Sequence, residues 1–278
     1  MNNRDDFGNQ RSQRDLTIDI SQTNVTSFPT ITKPGVVLRL NASRNMISNL
    51  PDMDNFTRLR YLDLSQNNLQ DVSPLASLTS LLELDISFNH IIDINFIQNL
   101  ISLEILHASN NELNQIGNVL PERLIELDLS NNMLNSLDFL DSPNVSNDPF
   151  PFGLEKLIIS GNNISEIINL RYITVFSKLR ELDVGLLDEE ENRNLQLLPF
   201  VKSLCPTLQI FDETDMTNVD ELAVNPEDLI QVLTSGSEQA LRAFISDVDV
   251  GIKWDEPVFI EFDDDSPMTP LKNLESRV

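Results

Sequence analysis

Few residues of this chain could serve as nucleophiles, general bases or metal ligands. Its 278 residues include two histidines, His90 and His107, and one cysteine, Cys205. These three do not have the ligand spacing of a zinc site, and the eight glycines are scattered rather than grouped in a phosphate-binding loop. Carboxylates are abundant, but most surface carboxylates are simply solvated side chains. We therefore expect no enzymatic activity, no metal and no cofactor.

The net charge limits which partners the chain can attract. There are 44 acidic and 19 basic residues, which gives a net charge of −25. Nucleic acids and anionic membranes bind positive surfaces, so we expect neither as a partner. From residue 186 onward, 21 acidic and 6 basic residues contribute −15 of this charge. A basic or locally basic protein is the favoured partner.

Asparagine recurs at a nearly constant spacing along most of the chain. Four intervals of 22, 22, 22 and 21 residues are followed by one of 30, and the positions are Asn45, Asn67, Asn89, Asn111, Asn132 and Asn162. Each lies in the frame L-x-x-L-x-L-x-x-N-x-L with apolar variants, as from Leu59 to Leu69. Degenerate copies at both ends bring the total to about eight. A 22-residue unit cannot bury its own leucines, so the units must stack as a solenoid.

The second half of each repeat has an apolar residue at every third position. After Asn67 these are Val72, Leu75 and Leu78, and this period is typical of 3₁₀ or extended segments rather than of an α-helix. Each repeat is therefore predicted to contain one short parallel strand and a thin return. The asparagine amide, buried after the strand, is predicted to bond the backbone of adjacent turns.

This pattern resembles the leucine-rich repeat family. Within that family it is similar to the 22-residue class typified by the regulatory subunit of protein phosphatase 1 and by bacterial internalins. The resemblance covers about residues 15–216, and the stretch 71–81 is close to the consensus of that class. It implies an α/β solenoid shaped as a curved horseshoe, with parallel strands on the concave face and 3₁₀ or short helical returns on the convex face.

A second motif lies where the repeats end. Residues 204–212 read Leu-Cys-Pro-Thr-Leu-Gln-Ile-Phe-Asp, similar to the C-terminal cap of intracellular eukaryotic leucine-rich repeats and unlike that of internalins. Within this motif Cys205 is interpreted as a buried small hydrophobe.

The resemblance implies a protein-binding scaffold or a regulatory subunit that binds its partner on the concave face. A protein phosphatase catalytic subunit is one candidate partner. The alternative is a cytoskeletal scaffold at a spindle pole, centrosome or cilium, with a cytoskeletal component as the partner.

Strand residues between the leucines should face away from the core because side chains alternate along a strand. Several of these positions depart from the consensus towards aromatic, aliphatic or basic residues. A surface of mixed acidic and apolar character suits protein recognition. The predicted partner contacts are Tyr61, Asp63, Glu83, Asp85, Ile105, His107, Glu126, Asp128, Lys156 and Ile158.

The chain is divided here into five segments. They are a flexible N-terminus (1–14), the repeats (15–185, with an insertion at 141–152), a cap (186–216), an acidic helical extension (217–262) and a disordered tail (263–278). Asn225 and Ser237 are predicted N-caps of two helices in the extension. In the tail, Ser266 and Thr269 precede prolines and are candidate phosphosites for proline-directed kinases. A single cysteine and an N-terminus without an apolar segment predict an intracellular location, cytoplasmic or nuclear or both.

Overall fold

The repeats build one open sheet in which every strand pairs with the strand of the next repeat. The computed structural model describes residues 16–117, 120–140, 153–188, 197–221 and 224–247. Within these ranges the strands are β1 (Leu16–Asp19), β2 (Val37–Asn41), β3 (Tyr61–Asp63), β4 (Glu83–Asp85), β5 (Ile105–His107), β6 (Glu126–Asp128), β7 (Lys156–Ile158), β8 (Glu181–Asp183), β9 (Ile210–Phe211) and β10 (Thr214–Asp215). They lie in chain order. Pairing is parallel from β1 to β9 and antiparallel between β9 and β10.

The strand register is uniform and stacks each leucine on its counterpart. Leu62 of β3 is level with Leu84 of β4, which is level with Leu106 of β5, and all three are buried. Full burial of such a side chain contributes about 1.5–3 kcal/mol relative to leaving it exposed. Since every repeat supplies several leucines to its neighbours, one core runs through the whole stack.

Several of the returns between strands contain 3₁₀ segments, so the predicted fold class is confirmed. They span Pro34–Val36, Ser73–Ser77, Asn95–Asn99, Asp138–Leu140, Ile167–Val175 and Leu186–Asp188. In the second of these, Leu75 is fully buried and the Leu78 N–H donates to the Leu75 carbonyl at 3.0 Å. Apolar residues three apart fall on one side of a three-residue turn, which is why this period folds as 3₁₀.

In the described part of the chain, three α-helices follow the repeats: α1 (Leu197–Leu204), α2 (Pro226–Ser235) and α3 (Glu238–Asp247). Both α1 and α3 contact the 3₁₀ segment Ile167–Val175. The side chain of Asn225 caps α2 by accepting from the Glu227 N–H at 3.1 Å, and Gly236 ends it at a φ of 66°. The Ser237 hydroxyl accepts from the Ala240 N–H at 3.2 Å at the start of α3. None of the helices in the described ranges is long and apolar enough to cross a bilayer.

Three of the sequence predictions fall outside the described residues. They are the flexible N-terminus at 1–14, the insertion at 141–152, and the tail with Ser266 and Thr269. The division of the chain into five segments stays a prediction.

Candidate partner-binding face

All ten predicted partner-contact residues lie in two adjacent rows across the strands β3 to β7. The first row is Tyr61, Glu83, Ile105, Glu126 and Lys156, and the second is Asp63, Asp85, His107, Asp128 and Ile158. The outer residues of each three-residue strand are half-buried, while the leucine between them is fully buried. The two rows therefore line the strand side of the solenoid, here called the concave face.

The apolar part of this face lies at Tyr61 and Ile105, with Glu83 between them in the row. The Tyr61 ring is covered on one side by the Arg39 guanidinium, whose carbon lies 3.5 Å from the ring centroid. Such stacking is favourable because the ring face is electron-rich, and it limits the motion of both side chains.

A chain of close side-chain contacts, two of them ion pairs of Lys156 with glutamates, runs across the strands from β5 to β8. Glu126 lies 3.4 Å from the His107 Nε2 and 3.6 Å from the Lys156 Nζ, which in turn lies 3.3 Å from Glu181. Desolvation is the largest single influence on Lys156 and lowers its pKa. The two glutamates together outweigh it, so the pKa of Lys156 is raised overall. Lys156 is therefore a fixed positive charge among carboxylates at neutral pH.

The aspartates of the second row also help to end their strands. The Asp85 carboxylate accepts from the Ser87 N–H at 2.9 Å and from the Ser87 hydroxyl at 2.6 Å. The same two bonds join Asp63 to Ser65 and Asp128 to Ser130. Burial raises the pKa of Asp85 against the opposing effect of the Ser87 bonds, and the nearby Asp63 charge adds to the rise. One oxygen of each aspartate thus holds the turn after its strand, and the other oxygen is the one that could contact a partner.

The asparagines form a ladder of side-chain to backbone hydrogen bonds behind this face. Asn89 accepts from the Leu69 N–H at 2.9 Å and donates to the carbonyls of Leu64, Ile86 and Ser87 at 3.0 to 3.1 Å. Equivalent bonds are made by Asn45, Asn67, Asn111, Asn132 and Asn162. An amide is needed here because the same side chain must accept from one turn and donate to two. The asparagine side chains are therefore structural, because they hydrogen-bond the backbone of their own repeat and of the preceding one.

The Asp212 carboxylate binds the backbone N–H groups that follow β8, at the end of the repeats. The position equivalent to the asparagines in the last repeat is occupied by Leu187. The Asp212 carboxylate accepts from the N–H groups of Val184 (2.7 Å), Gly185 (3.0 Å) and Leu187 (2.8 Å). This explains in physical terms why the end motif finishes in an acidic residue. Cys205, in the same motif, is 2% exposed.

The two histidines lie apart and have separate partners. His90 faces the Glu112 carboxylate at 3.0 Å on the edge of the solenoid, whereas His107 lies on the concave face. Across the described ranges, no three side chains of His, Cys, Asp or Glu are grouped so that they could hold a metal ion.

Sequence reasoning missed a basic cleft beside the concave face, at the beginning of β1 to β3. This basic cleft has a volume of about 560 Å³ and is lined by Thr17, Leu38, Arg39, Thr57, Arg58, Arg60, Tyr61 and Ser80. Three of the 19 basic residues lie within 22 positions of one another here. That spacing is the only sequence signal that could have indicated the cleft, because two of the arginines lie outside the strand positions.

Comparisons with known proteins agree with the repeat frame. Residues 58–78 match the family described as Leucine Rich Repeat, and no curated protein matches the chain significantly. Two similar solved structures are internalins from Listeria monocytogenes. The chain is 22% identical to inlF, with 69% of this chain and 63% of inlF covered and a TM-score of 0.47. It is 26% identical to internalin C2, with 75% and 78% covered and a TM-score of 0.49.

A third similar structure is the leucine-rich repeat protein LIC12759 of Leptospira interrogans. It is 27% identical, with 52% of this chain and 36% of that protein covered and a TM-score of 0.42. The chain thus spans less than two thirds of inlF and about a third of the Leptospira protein. The chain itself has a uniform strand register and an asparagine ladder. Together with the match at residues 58–78, they show a leucine-rich-repeat solenoid.

Proposed function

We propose that this chain is a non-catalytic scaffold or regulatory subunit that binds a partner protein on its concave face. The observation that carries the proposal is the grouping of Tyr61 and Ile105 on a rigid sheet, bordered by the ion-paired Glu126 and Lys156. Aromatic and aliphatic anchors supply most of the affinity of protein interfaces, and surrounding charges orient the partner. The Tyr61 side chain is already held by its contact with Arg39, so little of its side-chain entropy is lost on binding.

The charge of the concave face indicates the chemistry of the partner surface. From β1 to β8 the outward strand positions carry eight carboxylates, namely Asp19, Asp63, Glu83, Asp85, Glu126, Asp128, Glu181 and Asp183. The permanent cations at these positions are Arg39 and Lys156. A complementary partner presents basic residues around an apolar centre.

For the identity of the partner we propose first a protein phosphatase catalytic subunit. Support for this comes from the similarity of the repeats to those of the phosphatase regulatory subunit, which binds its catalytic subunit on the concave face. A cytoskeletal component is the alternative. The proposal places the protein inside the cell, in the cytoplasm, the nucleus or both.

The proposal is tested by quantitative affinity capture with the wild-type chain and two matched double variants. Tyr61→Ala with Ile105→Ala removes the anchors of the concave face. Ile92→Ala with Ile101→Ala removes two side chains that are 59% and 66% exposed but lie outside the strands. Loss of two anchors should weaken capture more than tenfold, since each anchor contributes about 2 kcal/mol or more, and the control should capture as the wild type does.

Two outcomes would count against parts of this proposal. Equal capture by all three proteins would refute the concave face as the binding surface. Purified phosphatase catalytic subunit that fails to bind the wild-type chain, while another captured protein depends on Tyr61 and Ile105, would refute the phosphatase and keep the scaffold.

A further inference from the structure

The basic cleft is unusual in a protein of net charge −25. Arg39, Arg58 and Arg60 line one cavity of about 560 Å³ together with the hydroxyl-bearing residues Thr17, Thr57 and Ser80. Cavities of roughly 300–1,000 Å³ are the usual size of small-ligand sites. The charged groups in its lining are guanidinium groups, so the cleft fits an anion.

Two of these arginines, Arg39 and Arg60, have no carboxylate partner among the described residues. Lys156, Arg180 and Arg242 lie within 4 Å of glutamates. Among the described residues, no carboxylate lies at ion-pair distance from Arg39 or Arg60. Arg180 precedes β8 just as Arg60 precedes β3, and it is paired with Glu155 at 3.8 Å. The position alone therefore does not dictate an unpaired guanidinium.

Arg39 is held in an orientation that suits anion binding. Its guanidinium carbon lies 3.5 Å from the centroid of the Tyr61 ring, and the N–H donors of the group lie at its edge. A guanidinium edge matches the two oxygens of a phosphate or a carboxylate, which it binds in a bidentate manner. The exposed Arg60 directly precedes β3, next to Tyr61, and lines the same cleft as Arg39.

We propose that the basic cleft binds a phosphate or carboxylate group presented by a peptide. A nucleic acid or an anionic membrane would bring an extended negative surface against the acidic remainder of the chain, which repels it. A single anionic side chain enters the cleft without that contact. Tyr61 belongs both to the cleft and to the concave face, so the cleft is tested with small anionic probes and with variants of Arg60, which is not one of the proposed concave-face contacts.

The test is an NMR titration of the full chain that follows the side-chain Nε–Hε signals of arginine at constant ionic strength. Inorganic phosphate is the first probe. Blocked tripeptides Gly-X-Gly, with phosphoserine, glutamate or serine at X, then distinguish the source of the anion. Saturable shifts are expected at Arg39 and Arg60 with the anionic probes, and none at Arg180, the matched control.

The variants Arg60→Ala and Arg180→Ala complete the test. Loss of one guanidinium should weaken binding of the tighter tripeptide about tenfold or more, because hydrogen bonds to a charged group contribute about 1.5–3 kcal/mol. Arg60→Lys should recover only part of the affinity, since an ammonium lacks the planar fork. Shifts of the same size at Arg180, no saturation at Arg39 and Arg60, or equal affinity in Arg60→Ala would each overturn the proposal.

Discussion

Replacing Asn89 by leucine tests whether the asparagine ladder holds the repeats together. Leucine has nearly the same size, so the change removes hydrogen bonds without opening a cavity. The Leu69 N–H, buried and bonded to Asn89 at 2.9 Å, would lose its acceptor. A buried donor left unsatisfied costs about 1–3 kcal/mol.

The three carbonyls that accept from Asn89 would each keep another donor. The Leu64 carbonyl retains the Asn67 amide at 2.9 Å, and the Ile86 carbonyl retains the Asn111 amide at 3.0 Å. The Ser87 carbonyl retains the Gln66 N–H at 2.9 Å. Their weakened bonding adds roughly 1 kcal/mol, so Asn89→Leu should lower the free energy of unfolding by about 2–4 kcal/mol in total.

The measurement is equilibrium unfolding in urea followed by circular dichroism. Asn68→Leu is the matched control, since this neighbouring asparagine is exposed and its side chain is outside the ladder. The control should unfold within about 0.5 kcal/mol of the wild type. If Asn89→Leu unfolds at the wild-type urea concentration, or if both variants lose stability equally, the ladder does not have the role assigned to it.

The hydrogen bonds of Asp212 and the burial of Asp85 predict how substitutions at these positions change the stability of the protein. Asp212→Ala removes the acceptor of three backbone N–H groups and should cost about 2–4 kcal/mol of unfolding free energy in urea, with Asp212→Asn losing less; an unchanged midpoint would contradict this. Burial raises the pKa of Asp85 in the folded protein, so protonation of this carboxyl favours the folded state. The contribution of Asp85 to the free energy of unfolding is therefore complete at acidic pH and is lost as pH rises through the raised pKa. Asp85→Asn should therefore melt above the wild type at pH 7 and lose that advantage in acid; a constant difference in melting temperature would be inconsistent. Phosphopeptide mapping from dividing cells should detect phosphate on Ser266 or Thr269, and repeated coverage of 254–278 without phosphate would remove that prediction.

The repeat frame could be predicted from sequence because its signals are local and periodic. The leucine and asparagine positions predicted where the strands and the 3₁₀ returns lie and which strand side chains point outward. Even so, the acceptor for the backbone N–H groups that follow β8 could not be inferred from the repeat frame. Leu187 occupies the asparagine position, and the acceptor comes from Asp212, 25 residues further along the chain.

Contacts between repeats were harder to predict because they depend on the register of whole strands. The contacts of Glu126 with His107 and Lys156 join repeats that are separated by intervals of 21 and 30 residues. The basic cleft combines residues from before and within the strands, so Arg58 and Arg60 did not stand out in the strand columns. The mixed character of the concave face was visible in sequence, but these particular partners were not.

The central claim, that the concave face binds the partner, is tested most directly by hydroxyl-radical footprinting of the captured complex. The side chains of Tyr61, Ile105 and His107 are half-buried in the unbound chain, and a partner on this face should protect them from oxidation. Ile92 and Ile101, at 59% and 66% exposure, should be oxidised equally with and without the partner. Protection of Ile92 or Ile101, with unchanged oxidation at Tyr61, Ile105 and His107, would contradict the account.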